Sequence, residues 1–219
     1  MQSISTARSE SQILATNKVL KNTYALLSTT LFFSAAMAFL SMAIAPPPIT
    51  GIVSMIVAMG LIWFALPRTA NSSKGLIVVF AITGLLGFGI GPMLNQFLLM
   101  EGGGQIVMTA LGGTGAIFLG LSGYALTSRK DFSFMAGFLM VGLVIVIVAM
   151  IANIFLQMPI MSLVISSAVI LIMSGFILYD TSAIIRGEQT NYILATVGMY
   201  LSIFNIFIHL LNILAATRE

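Results

Sequence analysis

Residues 132–179 run for 48 positions without one charged side chain. As a single α-helix that stretch would reach about 72 Å at ~1.5 Å per residue, more than twice the thickness of a hydrocarbon core of roughly 30 Å. It must therefore divide into two membrane spans. Gln157, Met158 and Pro159 supply the break, because proline cannot continue a helix that needs its N–H, and the spacing predicts helices over about 133–156 and 160–185. Elsewhere the chain repeats the pattern on a shorter scale, with apolar runs at 24–45, 49–66, 76–99, 106–126 and 192–214. Pro46, Pro47 and Pro48 stop the first run, Pro67 and Arg68 the second, and Glu101 with Gly102, Gly103 and Gly104 separates the third from the fourth. Composition agrees: 59% of the residues are hydrophobic and 7% charged, whereas a soluble domain carries about a quarter charged residues.

The expected fold class is thus an all-α membrane protein with seven transmembrane helices. It comprises a polar, disordered tail over 1–23, one seven-helix domain over 24–214 and a short tail over 215–219. A transmembrane β-barrel would instead alternate apolar and polar residues in segments of about ten, and these runs are apolar throughout. Ala43, Ile44 and Ala45 have the small-x-small form of a signal-peptide cleavage site, but the apolar run is long and Pro46 stands at the would-be scissile bond, so the first span is expected to be retained. With no cysteine, disulfides and thiolate chemistry are excluded.

Basic residues orient such a chain, because they accumulate on the cytosolic side. With the N-terminus inside, that side receives Arg8, Lys18, Lys21, Arg68, Lys74, Arg129, Lys130 and Arg186, and the other side only Arg218. The N-terminus is therefore expected in the cytosol and the C-terminus outside. A net charge of +3 spread in this way reports orientation in a lipid bilayer, and no nucleic-acid partner is expected.

Asp180 is the one acidic residue well inside an apolar run. A carboxylate at depth costs roughly 2.5 to 3.5 kcal/mol on insertion scales, so it must face protein or water. Two readings stay open for it: pairing with Arg186 near the interface, or lining a polar, proton-sensitive cavity. Ser202, Asn205, His209 and Asn212 share one face of the last helix at i, i+3, i+7 and i+10, which suggests a helix surrounded by others. Asn95, Asn153 and His209 should lie near the outer end, either as interhelical hydrogen bonds or along a pathway. In the third span Gly87 and Gly91 form a GxxxG pair followed by Pro92, a pattern for close helix packing or for a hinge.

Catalysis finds little support. Gly120, Leu121, Ser122 and Gly123 match a short GxSG signature of intramembrane serine nucleophiles. Yet His209, the only imidazole, is expected about 17 residues into a helix running outward, roughly 26 Å from its cytosolic start, whereas nucleophile and base must meet within about 3 Å. One histidine and no cysteine also make a transition-metal site improbable.

Seven short-looped spans carry Ile177, Leu178, Tyr179, Asp180 and Thr181 at the end of the sixth. The seventh holds Tyr200, Leu201, Ser202, Ile203, Phe204, Asn205, Ile206 and Phe207. Together they resemble the Bax inhibitor family over essentially the full length. The resemblance is closest to a bacterial branch, through Gly91, Pro92, Met93, Leu94 and Asn95, through Asn153, Ile154, Phe155, Leu156 and Gln157, and through Glu188, Gln189, Thr190, Asn191 and Tyr192. It implies six helices around a central seventh, in the bacterial inner membrane. The partner it implies is a membrane-bound ATP-dependent protease of the FtsH type, with its associated membrane proteins. Under that reading the chain restrains the protease as a substrate that is hard to extract, gripped by Gln2, Ser3, Ser5, Thr6, Ser9, Ser11 and Gln12. The alternative implied by other family members is a pH-sensitive calcium or cation leak sensed by Asp180. There the second acidic position falls on Ser202, which cannot share a proton or offer a second charge to Ca²⁺. No cofactor is expected, and at most weak Ca²⁺ binding.

Overall fold

A computed structural model of the chain describes residues 2–217, with side chains from Leu14 onward. Arg218, the one cation expected on the far side, lies outside the described residues. Seven helices are long and apolar enough to cross a membrane, and no strand occurs among the described residues. The first, α1 (Gln2–Ile44), corrects an expectation: residues 2–23 are not a disordered tail but continue the span as helix. The physical reason is local. No glycine or proline stands between Gln2 and the span, and once a span has met the cost of nucleation, propagation needs only one more hydrogen bond per residue.

The second span is composite, with α2 (Ile49–Gly60), a π-helical turn (Leu61–Ala65) and α3 (Leu66–Thr69). The wide turn lies where Pro67 withholds an N–H from the ladder, and the Leu66 N–H reaches back to Leu61 O. Next come α4 (Lys74–Leu99) and α5 (Gly103–Ser128), joined through Gly102 at φ 68°, a left-handed position that suits glycine. A single 3₁₀ turn (Ser133–Met135) leads into α6 (Ala136–Leu156), followed by α7 (Pro159–Ile185) and α8 (Tyr192–Ala216).

The long uncharged stretch breaks where the sequence indicated. Gln157 is left-handed, its N–H donates to Asn153 O at 2.8 Å, and the Met158 N–H donates to Asn153 Oδ1 at 3.2 Å. Pro159 then occupies the first turn of α7, where its missing N–H is harmless.

Two compact units organise these helices. The first comprises the chain through Glu101 together with Gly187–Tyr200; the second comprises Gly102–Arg186 and the chain from Leu201. The last helix thus gives its opening turns to one unit and its remainder to the other. Within the first unit α4 packs along α1 and α2. One face of α1 is buried there, Thr23, Leu27, Thr30, Ser34, Ala38 and Ser41, at intervals of three and four that return to the same side of a helix. Within the second unit α7 packs along α5 and α6, around a cluster that includes Leu139, Val146, Val169, Ile172, Ile177 and Ile206.

Candidate functional site

In the second unit Asp180 sits half-buried near the end of α7, and its carboxyl makes no hydrogen bond or ion pair with the described residues. The cation that the sequence offered it is engaged elsewhere. Arg186 pairs with Asp131 at 2.6 Å and also donates to Ser182 Oγ. Ser182 Oγ in turn donates to Lys130 O at 2.9 Å and accepts from the Phe132 N–H at 3.3 Å. Asp131 Oδ1 accepts the Ser133 N–H at 2.7 Å. These contacts clamp the α5–α6 loop to the end of α7. The Ser133 N–H and then its hydroxyl hold the Asp131 carboxyl below its ordinary value of 3.8, with Arg186 adding to the effect.

Other polar residues are placed apart from Asp180's carboxyl by their own contacts. Ser202 is buried, and Asn205 Nδ2 donates to Leu201 O of the same helix at 2.8 Å. His209 Nδ1 lies 3.0 Å from Ser166 Oγ, tying α8 to α7. Ser122, the nucleophile of the enzyme reading, lies 3.4 Å from Thr181 Oγ1. Asn153 ends α6 as described above. Asn95, in the first unit, donates from Nδ2 to Met42 O at 3.1 Å. Among the described residues no three of His, Cys, Asp and Glu gather in a way that could hold a metal ion.

The first unit holds a network that the sequence reading did not single out. Tyr200 is buried, and its hydroxyl lies 2.5 Å from Ser34 Oγ on α1 and 3.3 Å from Thr83 O on α4. Ser34 itself lies over Gly87: a Cβ there would overlap the Ser34 backbone oxygen. One at Gly91 would overlap Ser41, whose Oγ is buried without a hydrogen-bond partner. Pro92, also buried, follows without ending α4. The signal that could have revealed this face was the recurrence of Thr23, Thr30, Ser34 and Ser41 at i, i+7, i+11 and i+18, a small polar stripe on the first span.

At the basic end Asn191 joins two turns. Its Oδ1 accepts the Ile193 and Leu194 N–H groups at the start of α8, and its Nδ2 donates to Ala70 O at 3.0 Å and Asn71 Oδ1 at 2.8 Å.

Comparison with known proteins places this architecture. Residues 16–219 match the family described as inhibitor of apoptosis-promoting Bax1. The chain is 54% identical over 201 residues to a membrane protein of Vibrio cholerae, covering 92% of this chain and 90% of that one. It is 48% identical over 217 residues to the modulator of FtsH protease YccA of Escherichia coli, covering 99% and 98%. A second Escherichia coli strain carries a relative of the same identity and coverage named inner membrane protein YccA.

Proposed function

The chain belongs to the Bax inhibitor family, and we propose that within it this multi-pass inner-membrane protein is a non-enzymatic modulator of a membrane-anchored, ATP-dependent protease of the FtsH type. It restrains the protease as a partner that is engaged like a substrate but extracted with difficulty. The observation that carries the reading is identity at 48% along nearly the whole of both chains with a relative named as a modulator of that protease. A helix that begins at Gln2, far ahead of the first apolar run, supports it by offering a polar end on which a protease can pull. Resistance then comes from pulling about 20 apolar residues per span out of lipid and into water, at roughly 25 cal/mol for each Å² exposed. The reading requires no bound metal or cofactor. A cation leak draws less support, since Asp180 has Ser202 where the family's second carboxylate would stand.

Deletion of residues 2–15 tests the handle. In a competition assay with an established membrane substrate, the shortened chain should be degraded more slowly and should restrain the protease differently from the full chain. If both chains are bound, degraded and restraining to the same extent, the handle mechanism is wrong.

A further inference from the structure

Resistance to extraction needs a location, and the first unit supplies one. A protease pulling from the N-terminal end meets α1 first, and α1 is tied to its own unit at three levels. Near one end Thr196 Oγ1 donates to Thr23 O at 3.3 Å. In the middle Ser34 Oγ meets the Tyr200 hydroxyl at 2.5 Å. Near the other end Asn95 Nδ2 donates to Met42 O. From Thr23 to Met42 the helix rises about 28 Å at ~1.5 Å per residue, close to the full hydrocarbon thickness. Two of the three ties use backbone carbonyls of α1, so they are indifferent to most side-chain changes along it.

Between the ties α4 presents Gly84, Gly87 and Gly91 to α1, covered by Phe33, Ser34 and Ser41 respectively. The contact at Gly87 is with backbone and leaves no room for a Cβ. In lipid, apolar side chains lose little on parting, because acyl chains are as apolar as they are. A groove that fits a helix backbone is different, since acyl chains cannot reproduce that contact or its hydrogen bonds.

We infer that the α1–α4 seam, latched by Tyr200 through Ser34 and Thr83, is the brake that slows extraction of this protein from its N-terminal end. The inference rests on the proposed role as a reluctant protease substrate, and its test separates the two. Tyr200→Phe and Ser34→Ala remove the latch with little change of volume, while Ser166→Ala in the second unit removes the contact with His209 and serves as the control.

Each full-length variant is pulled from its N-terminus in bicelles by magnetic tweezers. In parallel it is given to a purified FtsH-type protease with ATP in liposomes, both as it is and with an unrelated degradation tag fused before Met1. Tyr200→Phe and Ser34→Ala should lower the force that frees α1 and raise turnover of the tagged chain by about threefold to tenfold, with Ser166→Ala close to wild type in both. An unchanged release force, unchanged turnover of the tagged chain, or an equal response to Ser166→Ala overturns the brake. Should the tagged chains respond as expected while the untagged wild type is never engaged, the brake stands and the substrate-like reading falls.

Discussion

The two units solve the same problem with opposite materials. In the first, three glycines are covered by backbone: a Cβ on Gly51 would lie 2.7 Å from Gly89 O, and one on Gly75 2.7 Å from Thr69 O, besides the overlap at Gly87, while Gly84 and Gly91 meet the side chains of Phe33 and Ser41. In the second, glycines are covered by the ends of flexible side chains, Gly142 by Ile172 Cδ1 at 3.1 Å and Gly175 by Leu139 Cδ2 at 2.5 Å. Polar ties follow the same division. The first unit spaces them along α1, whereas the second clusters Asp131, Ser182 and Arg186 at one end, with the separate contacts Ser122–Thr181 and Ser166–His209 beside an aliphatic cluster. Helices in lipid have no hydrophobic force to join them, so association rests on fit and hydrogen bonds. One unit adds backbone fit to its side-chain contacts, and the other relies on interlocked side chains.

Gly87→Ala should show the difference most strongly. The added methyl meets a backbone oxygen that cannot move without shifting α1, and the variant should lose about 2 to 3 kcal/mol of stability in detergent unfolding titrations. Gly175→Ala, the matched change in the second unit, asks only that Leu139 alter a rotamer and should cost about 1 kcal/mol. Equal costs for the two would break the comparison. Ser166→Ala should cost about 0.6 kcal/mol, the average for an interhelical hydrogen bond in a membrane protein. A loss several times larger in the same titration would mean that the second unit depends on polar ties as much as the first.

At the clamp of the second unit acid should have the smallest effect. The Asp131 carboxyl titrates below its ordinary value of 3.8 in the folded chain. Its contribution is therefore complete above that value and is lost as pH falls through the lowered one. Amide exchange at Phe132 and Ser133, corrected for intrinsic rates, should accelerate below about pH 3.8 and stay slow at neutral pH. Asp131→Asn should abolish that acid dependence. If the acceleration survives the substitution, the clamp does not depend on the Asp131 charge.

Much of this was legible in the residues. Gln157 and Pro159 marked the hidden turn because backbone geometry at a left-handed residue and at proline is a local matter. Gly87 and Gly91 were readable as a GxxxG pair, a pattern for close packing or for a hinge, and α1 lies against both. The polar face of α8 was readable as periodicity, although Asn205 and His209 turned out to have separate partners. Residues 2–23 were misread because polar composition suggests disorder, whereas a helix already nucleated in the span needs no apolar residues to continue.

By itself, then, the sequence determined the number of spans, their breaks and the family, all of which follow from local chain chemistry and order along the chain. Only the tertiary structure decided partners. That Arg186 belongs to Asp131 and not to Asp180, that Tyr200 reaches Ser34 across 166 positions, and that α8 divides its length between two units depend on which faces meet. In a bilayer nearly every face is apolar, so composition cannot say which ones do. Fit at a few glycines and the demand of each buried polar group for a partner make that choice.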